Sequence, residues 1–364
     1  MTDLRKKHVY ILIIMVFITF ILTFLSETIT SSVSATLELC QKSVIPSLFP
    51  FIVLSSIISK TAAHLIGDIR SDKVILIPFF LGALCGFPVG ASSIALLYRN
   101  NVISKKKAEY FCALCNNTGP AFIIGVVGKE FWGSTAIGIM FYLCQILSAV
   151  ICFAIWYCIL GKRTFLSGGE NHNIKKATAN LPSANVDYSV CTTFCNSVTS
   201  AVSSVLYICG YIVFFKMLCD IIKSIISAYS GSRFLCSVIA SALEFTSGAY
   251  AAAEIGGTVG IALCGFAIGF SGLSVIAQSA SFLYSAGLSA LPLLRLKILI
   301  GVLSSVLCSF FYNILELSEN IIETSEPVFS ESPLSLTALL ICIAALLIRI
   351  FLFFKNLFKS HIIE

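Results

Sequence analysis

Apolar positions in this chain come in long blocks, and the polar positions between them are short and carry most of the Lys and Arg. Apolar runs cover 9–25, 44–59, 74–98, 108–127, 131–160, 194–222, 233–253, 256–288, 298–311 and 334–354. Runs of this length predict helices that cross a bilayer rather than pack in a water-soluble core. Several are interrupted. Gly86-Phe87-Pro88-Val89-Gly90-Ala91 breaks the third, Cys115-Asn116-Asn117-Thr118-Gly119-Pro120 the fourth, and Gly269-Phe270-Ser271-Gly272 the eighth, while 233–253 is expected to turn near Thr246-Ser247-Gly248. Irregular backbone at membrane depth is tolerated only where it is enclosed by protein or lines a wet cavity. Function is therefore expected at the breaks.

Composition agrees with the pattern. The 364 residues are 57% hydrophobic and 12% charged, with a mean hydropathy of +0.96, a balance that predicts an all-α polytopic membrane protein. The net charge of +6 bears on orientation, not on nucleic acid, because basic loops set topology. Most of the 15 cysteines stand singly inside apolar runs; Cys112 and Cys115, the one Cys-x-x-Cys, read as small packing residues. No cofactor and no metal site are expected, and no enzyme either: neither a Gly-rich phosphate loop nor a carboxylate pair occurs at membrane depth.

Loop charge then orders the spans. Arg5-Lys6-Lys7 precedes 9–25, read as a retained first span with a cytoplasmic N-terminus, and 31–42 is amphipathic and expected at the outer interface. Pro46 and Pro50 are expected to kink or unwind the outer half of the second span. If 74–98 crossed fully, one of the basic loops at 60–73 and 99–107 would lie outside; a re-entrant hairpin turning at Gly86 to Gly90 keeps both inside. Continuing the path, Lys175, Arg295, Lys297 and Lys359 fall in the cytoplasm, Lys129-Glu130 forms an outer turn, Glu254 lies toward the outer end of the second hairpin, and Glu319 and Glu331 lie in an outer acidic loop. Both termini come out cytoplasmic.

The order span, hairpin, broken span occurs twice with an odd number of crossings between, which predicts opposed topologies. The expected architecture is about eight transmembrane helices plus two re-entrant helical hairpins in an inverted repeat. Residues 1–43 hold the N-terminal span and interfacial helix, 44–161 the first gate-type repeat, 162–193 a cytoplasmic linker, 194–313 the second, inverted repeat, and 314–364 the outer acidic loop and C-terminal span.

The block at Pro46 to Ile58, the Gly86 to Ala91 motif, Cys115-Asn116-Asn117-Thr118-Gly119-Pro120-Ala121-Phe122-Ile123-Ile124-Gly125, Leu243-Glu244-Phe245-Thr246-Ser247-Gly248 and Gly269-Phe270-Ser271-Gly272-Leu273-Ser274-Val275 together resemble the sporulation integral membrane protein YlbJ family, also called stage V sporulation protein V. That family is grouped with the nucleoside-transporter-like gate domains. The resemblance implies a transporter that moves dipicolinic acid across the outer forespore membrane from the mother cell. A nucleoside-type transporter, a channel, or a structural membrane protein of spore assembly are the alternatives.

Half-helices that end at a break present free N–H groups and a positive dipole end, which suit a carboxylate. The polar residues beside them are the expected contacts of a small anionic substrate: Ser92, Ser93, Asn116, Asn117, Thr118 and Gly119 in the first repeat, and Thr246, Ser247, Ser271, Gly272, Ser274 and Gln278 in the second. Hydroxyls in membrane helices also serve as packing glue, but two adjacent amides beside Gly119-Pro120 are costly to bury without a task. Gly86, Pro88, Gly90 and Gly248 are the expected hairpin tips. Glu244, an acid inside a hairpin, is the candidate for a proton or a coupling cation such as sodium, against the plainer role of capping a half-helix.

Overall fold

The computed structural model describes residues 25–66, 75–157, 190–229 and 232–322, with scattered positions between 9 and 23. The linker at 164–188, the span at 334–354 and most of the first span lie outside the described residues. Every regular element among the described residues is helical. Among the described residues, four stretches are long and apolar enough to cross a membrane: Thr135–Trp156, Cys191–Ile226, Gly257–Ser285 and Leu291–Ile314.

Helix α1 (Ser26–Leu39) runs through a π turn at Cys40–Val44 into α2 (Ile45–Ile66). Contrary to the expected unwinding, α2 continues across Pro50; the widened turn just before Pro46 is a known way for a helix to absorb a missing donor. The segment read as interfacial is the end of α1, which packs on α8 (Val190–Tyr229), where Ser32 Oγ donates to Asp220 Oδ2 at 2.7 Å.

The run 74–98 is not one helix. It forms α3 (Leu76–Cys85) and α4 (Val89–Arg99), which fold back on each other about Gly86-Phe87-Pro88. Gly86 has φ +81°, a conformation that suits glycine. The next run is likewise split into α5 (Lys105–Cys115) and a π-helical α6 (Ala121–Phe131), after which α7 (Thr135–Trp156) returns. In the second half α9 (Arg233–Leu243) and α10 (Phe245–Ile255) make another hairpin. The broken run is α11 (Gly257–Phe270) and α12 (Gly272–Ser285), and α13 (Leu291–Ile322) follows. Six elements thus recur in the same order.

Contacts fix which ends are neighbours. Tyr110 in the middle of α5 stacks on Trp156 at the end of α7, ring centroids 4.1 Å apart. Arg99 at the end of α4 donates to Ser285 O at 2.7 Å, and Ser289 N donates to Glu109 Oε1 at 2.8 Å. The 99–107 and 285–290 connections therefore share one end of the bundle. At the other end Phe131 meets Tyr250 edge-on, and Thr258 Oγ1 reaches Asn313 Oδ1 at 3.3 Å. The α3–α4 hairpin opens toward the first end and α9–α10 toward the second, and their turns meet in between, where Phe87 lies 5.3 Å from Phe245, ring centroid to ring centroid.

The outer surface is apolar. Along α13, Leu299, Val302, Val306 and Phe310 are exposed while Leu293, Ile300, Ser304 and Cys308 are buried. An apolar outward stripe of this length fits lipid. The chain is a multi-pass integral membrane protein.

Candidate functional site

The centre of the bundle is where both broken runs and both hairpin turns come together. The first hairpin is seated on its broken run by absence of side chains: a Cβ on either Gly82 or Gly90 would overlap the Cys115 carbonyl oxygen, and one on Gly86 would stand 2.8 Å from Gly119 N. The second is seated in the same way, since a Cβ on Gly272 would lie 3.0 Å from Phe245 N and 3.3 Å from Glu244 Cα. The break of the second run is marked by Ser271 and Gly272, with φ +70° and +71°. Both are left-handed, which ends α11 and starts α12 in a new direction.

Two of the expected tips are corrected. Gly90 and Gly248 lie inside α4 and α10 rather than at the turns; Gly248 is there because a Cβ would collide with the Ser241 backbone of α9. The second hairpin turns at Glu244, whose extended backbone (φ −143°, ψ 115°) separates the two helices. Gly86 and Pro88 do sit at the first turn.

Asn116 and Asn117 are both 0% exposed. Ser279 Oγ donates to Asn116 Oδ1 at 3.0 Å, so the first break is tied to α12 of the second half. Asn117 Nδ2 donates to Leu114 O at 2.7 Å. The other polar atom of each amide, Asn116 Nδ2 and Asn117 Oδ1, has no partner, and neither has Thr118 Oγ1. In the second half the Ser247 and Ser274 hydroxyls and both polar atoms of Gln278 are also buried and unpartnered. Ser271, Ser274 and Gln278 fall at i, i+3 and i+7, one face of α12 and its cap. Orphan buried polar groups are rare because each carries a desolvation cost of about 1–3 kcal/mol. Trp132 Nε1, Ser237 Oγ and both polar atoms of Gln145 are likewise buried without a partner elsewhere in the bundle; those at the two helix breaks make the breaks the candidate site for a polar ligand.

Other expected contacts are otherwise engaged. Ser92, only partly buried, turns its hydroxyl back to Val89 O at 3.0 Å, and Ser93 is buried. Glu244 is wholly buried and caps α10: Oε1 accepts from Thr246 N at 3.0 Å and Oε2 from Ser247 N at 2.7 Å. The dipole end of α10 therefore already holds a carboxylate, its own. The N-terminus of α4 carries no side-chain cap.

Lys297 lies elsewhere than its sequence neighbours suggest. Grouped with Arg295, it was expected in a cytoplasmic loop; it is 0% exposed inside the bundle, its Nζ donating to Ser271 Oγ at 3.5 Å. Two residues are about 200° apart around a helix, so Arg295 faces out while Lys297 faces in. Periodicity carried the clue. Leu293, Lys297, Ile300, Ser304 and Cys308 repeat at helical spacing, and all are buried.

Against known proteins the chain is similar to the sporulation integral membrane protein YlbJ of Bacillus subtilis (strain 168). The two are 25% identical over 333 residues, 78% of this chain and 79% of that one. The similarity supports the family resemblance. No family model matches the chain, and no solved structure does.

Proposed function

We propose that the chain is a membrane transporter of a small organic anion, and that its substrate is dipicolinic acid, taken up across the outer forespore membrane from the mother cell during sporulation. The observation that carries the transport reading is the convergence of two broken runs and two hairpin turns on buried polar atoms without partners inside the protein. In an inverted repeat such breaks line a midplane site, and rocking of one unit against the other exposes it to each side in turn. A scaffold has no use for opposed hairpins whose tips meet, and a simple pore needs no orphan amides.

On this reading α3–α4 and α9–α10 are re-entrant, with about eight full spans around them. Donors from both halves hydrogen-bond the carboxylates and ring nitrogen of the substrate: Asn116 Nδ2, the Asn117 Nδ2 hydrogen not used on Leu114 O and the Thr118 hydroxyl, with the Ser274 hydroxyl and Gln278 Nε2. Glu244 is the candidate for a coupling proton or sodium ion, since each of its oxygens keeps a lone pair beyond the one used in capping. The sporulation setting is supported by the likeness to the Bacillus protein, which is named for sporulation and membrane integration; the substrate is what the resemblance of the sequence motifs to that family implies.

Deletion of the gene tests the physiological half. Spores of the deletion strain are expected to contain little dipicolinic acid while the mother cell still makes it. Normal spore content would send the assignment to the structural alternative.

A further inference from the structure

A lysine with no acid beside it is the feature of this bundle that packing does not call for. Lys297 occupies a fully buried position on α13 where an aliphatic side chain would complete the stripe, and no carboxylate among the described residues pairs with it. Its contact is a single hydroxyl, Ser271 Oγ, at the long limit of a hydrogen bond, 3.5 Å. The Ser271 proton is already committed to Ile268 O at 3.1 Å, so the oxygen faces Lys297 as an acceptor. A buried ammonium satisfied by one long neutral bond is far from compensated.

The surroundings indicate what would compensate it. Ser271 is the break of the second run, the cap of the same helix face that carries the unpartnered Ser274 and Gln278. The α10 N-terminus, the other positive feature of this half, is filled by Glu244. Among the described residues Lys297 is the one fully buried cation. The Cys112 thiol of α5 is the titratable group that interacts with it electrostatically.

We propose that Lys297, positioned by Ser271, is the charge that selects a carboxylate-bearing ligand over a neutral one of the same shape. This rests on the transport reading and specifies its substrate chemistry. An incoming carboxylate supplies the counter-charge that the fold withholds, and a charge-assisted bond in a dry site discriminates strongly against an amide. Neutral ring contacts and the orphan amides would then hold the remainder of the ligand without distinguishing charge.

The test uses the purified full chain in detergent, as wild type, Lys297→Met and Lys297→Arg. Binding of pyridine-2,6-dicarboxylate and of its uncharged diamide is measured together with the melting temperature of each protein. The wild type is expected to favour the diacid by roughly a hundredfold. Lys297→Met should bind diacid and diamide alike and melt no lower than wild type, because an apolar side chain relieves an unpaired buried charge. Lys297→Arg should keep part of the preference. A Lys297→Met protein that retains the full preference for the diacid overturns the assignment while leaving the transport reading intact, whether or not its melting temperature has fallen. A wild type that binds the diamide or a nucleoside but not the diacid removes the organic-anion reading, and this inference with it.

Discussion

At the scale of single residues, the site is defined as much by missing side chains as by polar ones. The Cys115 carbonyl lies between Gly82 and Gly90 with no room for a methyl on either. Gly82→Ala or Gly90→Ala should therefore cost about 3 kcal/mol or more and lower the melting temperature sharply. Gly125→Ala, whose Cβ would meet nothing within 4 Å, should be tolerated in the same assay; equal behaviour of the three would show that the close approach is not tight. For the amides, Asn117→Ala removes a hydrogen-bond partner of a charged ligand and should weaken binding by ten- to a hundredfold, at about 1.5–3 kcal/mol per bond. Ser203→Ala is the control, because that hydroxyl is exposed and turned onto Thr199 O. Comparison belongs at equal membrane abundance. The amides were legible in the sequence because two adjacent polar side chains beside Gly-Pro stand out in an apolar run. Lys297 was not, because two cations two residues apart read as a loop until the helix is known to begin at Leu291.

At the scale of elements, the breaks were foreseeable and their registers less so. Gly86-Phe87-Pro88 cannot continue a helix, and α3 ends there. In the second hairpin no proline marks the turn and the small polar residues Thr246-Ser247-Gly248 suggest it, whereas the chain turns at Glu244, whose side chain can cap the helix that follows. The smallness of Gly248 serves packing against Ser241 and not a turn. Pro50 lies inside α2 without ending it, as a proline that neighbours support can in a membrane helix. The hairpins meet through Phe87 and Phe245. With both replaced by Cys in a chain otherwise lacking cysteine, a short thiol cross-linker should join the two hairpins and arrest transport until the link is cut. Failure to cross-link, with both thiols reactive, would separate the turns in the membrane.

At the scale of the whole molecule, the apolar outward face made the membrane class plain from composition, and the paired order of elements was visible as two runs of span, hairpin and broken span. What the sequence left open was how the halves meet. Ser279 on Asn116 and Arg99 on Ser285 are contacts between residues far apart in the chain. No local pattern announces them. Topology follows from the same contacts: single cysteines at Lys106 and Ser289 should be labelled from the cytoplasm, and cysteines at Trp132 and Gly257 from the opposite face. Labelling of Lys106 and Ser289 from opposite faces would break the bundle as described. The central claim, that this is a transporter of a small organic anion, is tested most directly by uptake into vesicles holding the purified protein. Radiolabelled dipicolinate should accumulate saturably above empty vesicles, be displaced by unlabelled dipicolinate, and be unaffected by nucleosides. Uptake equal to that of empty vesicles, or uptake of nucleosides in its place, would contradict it.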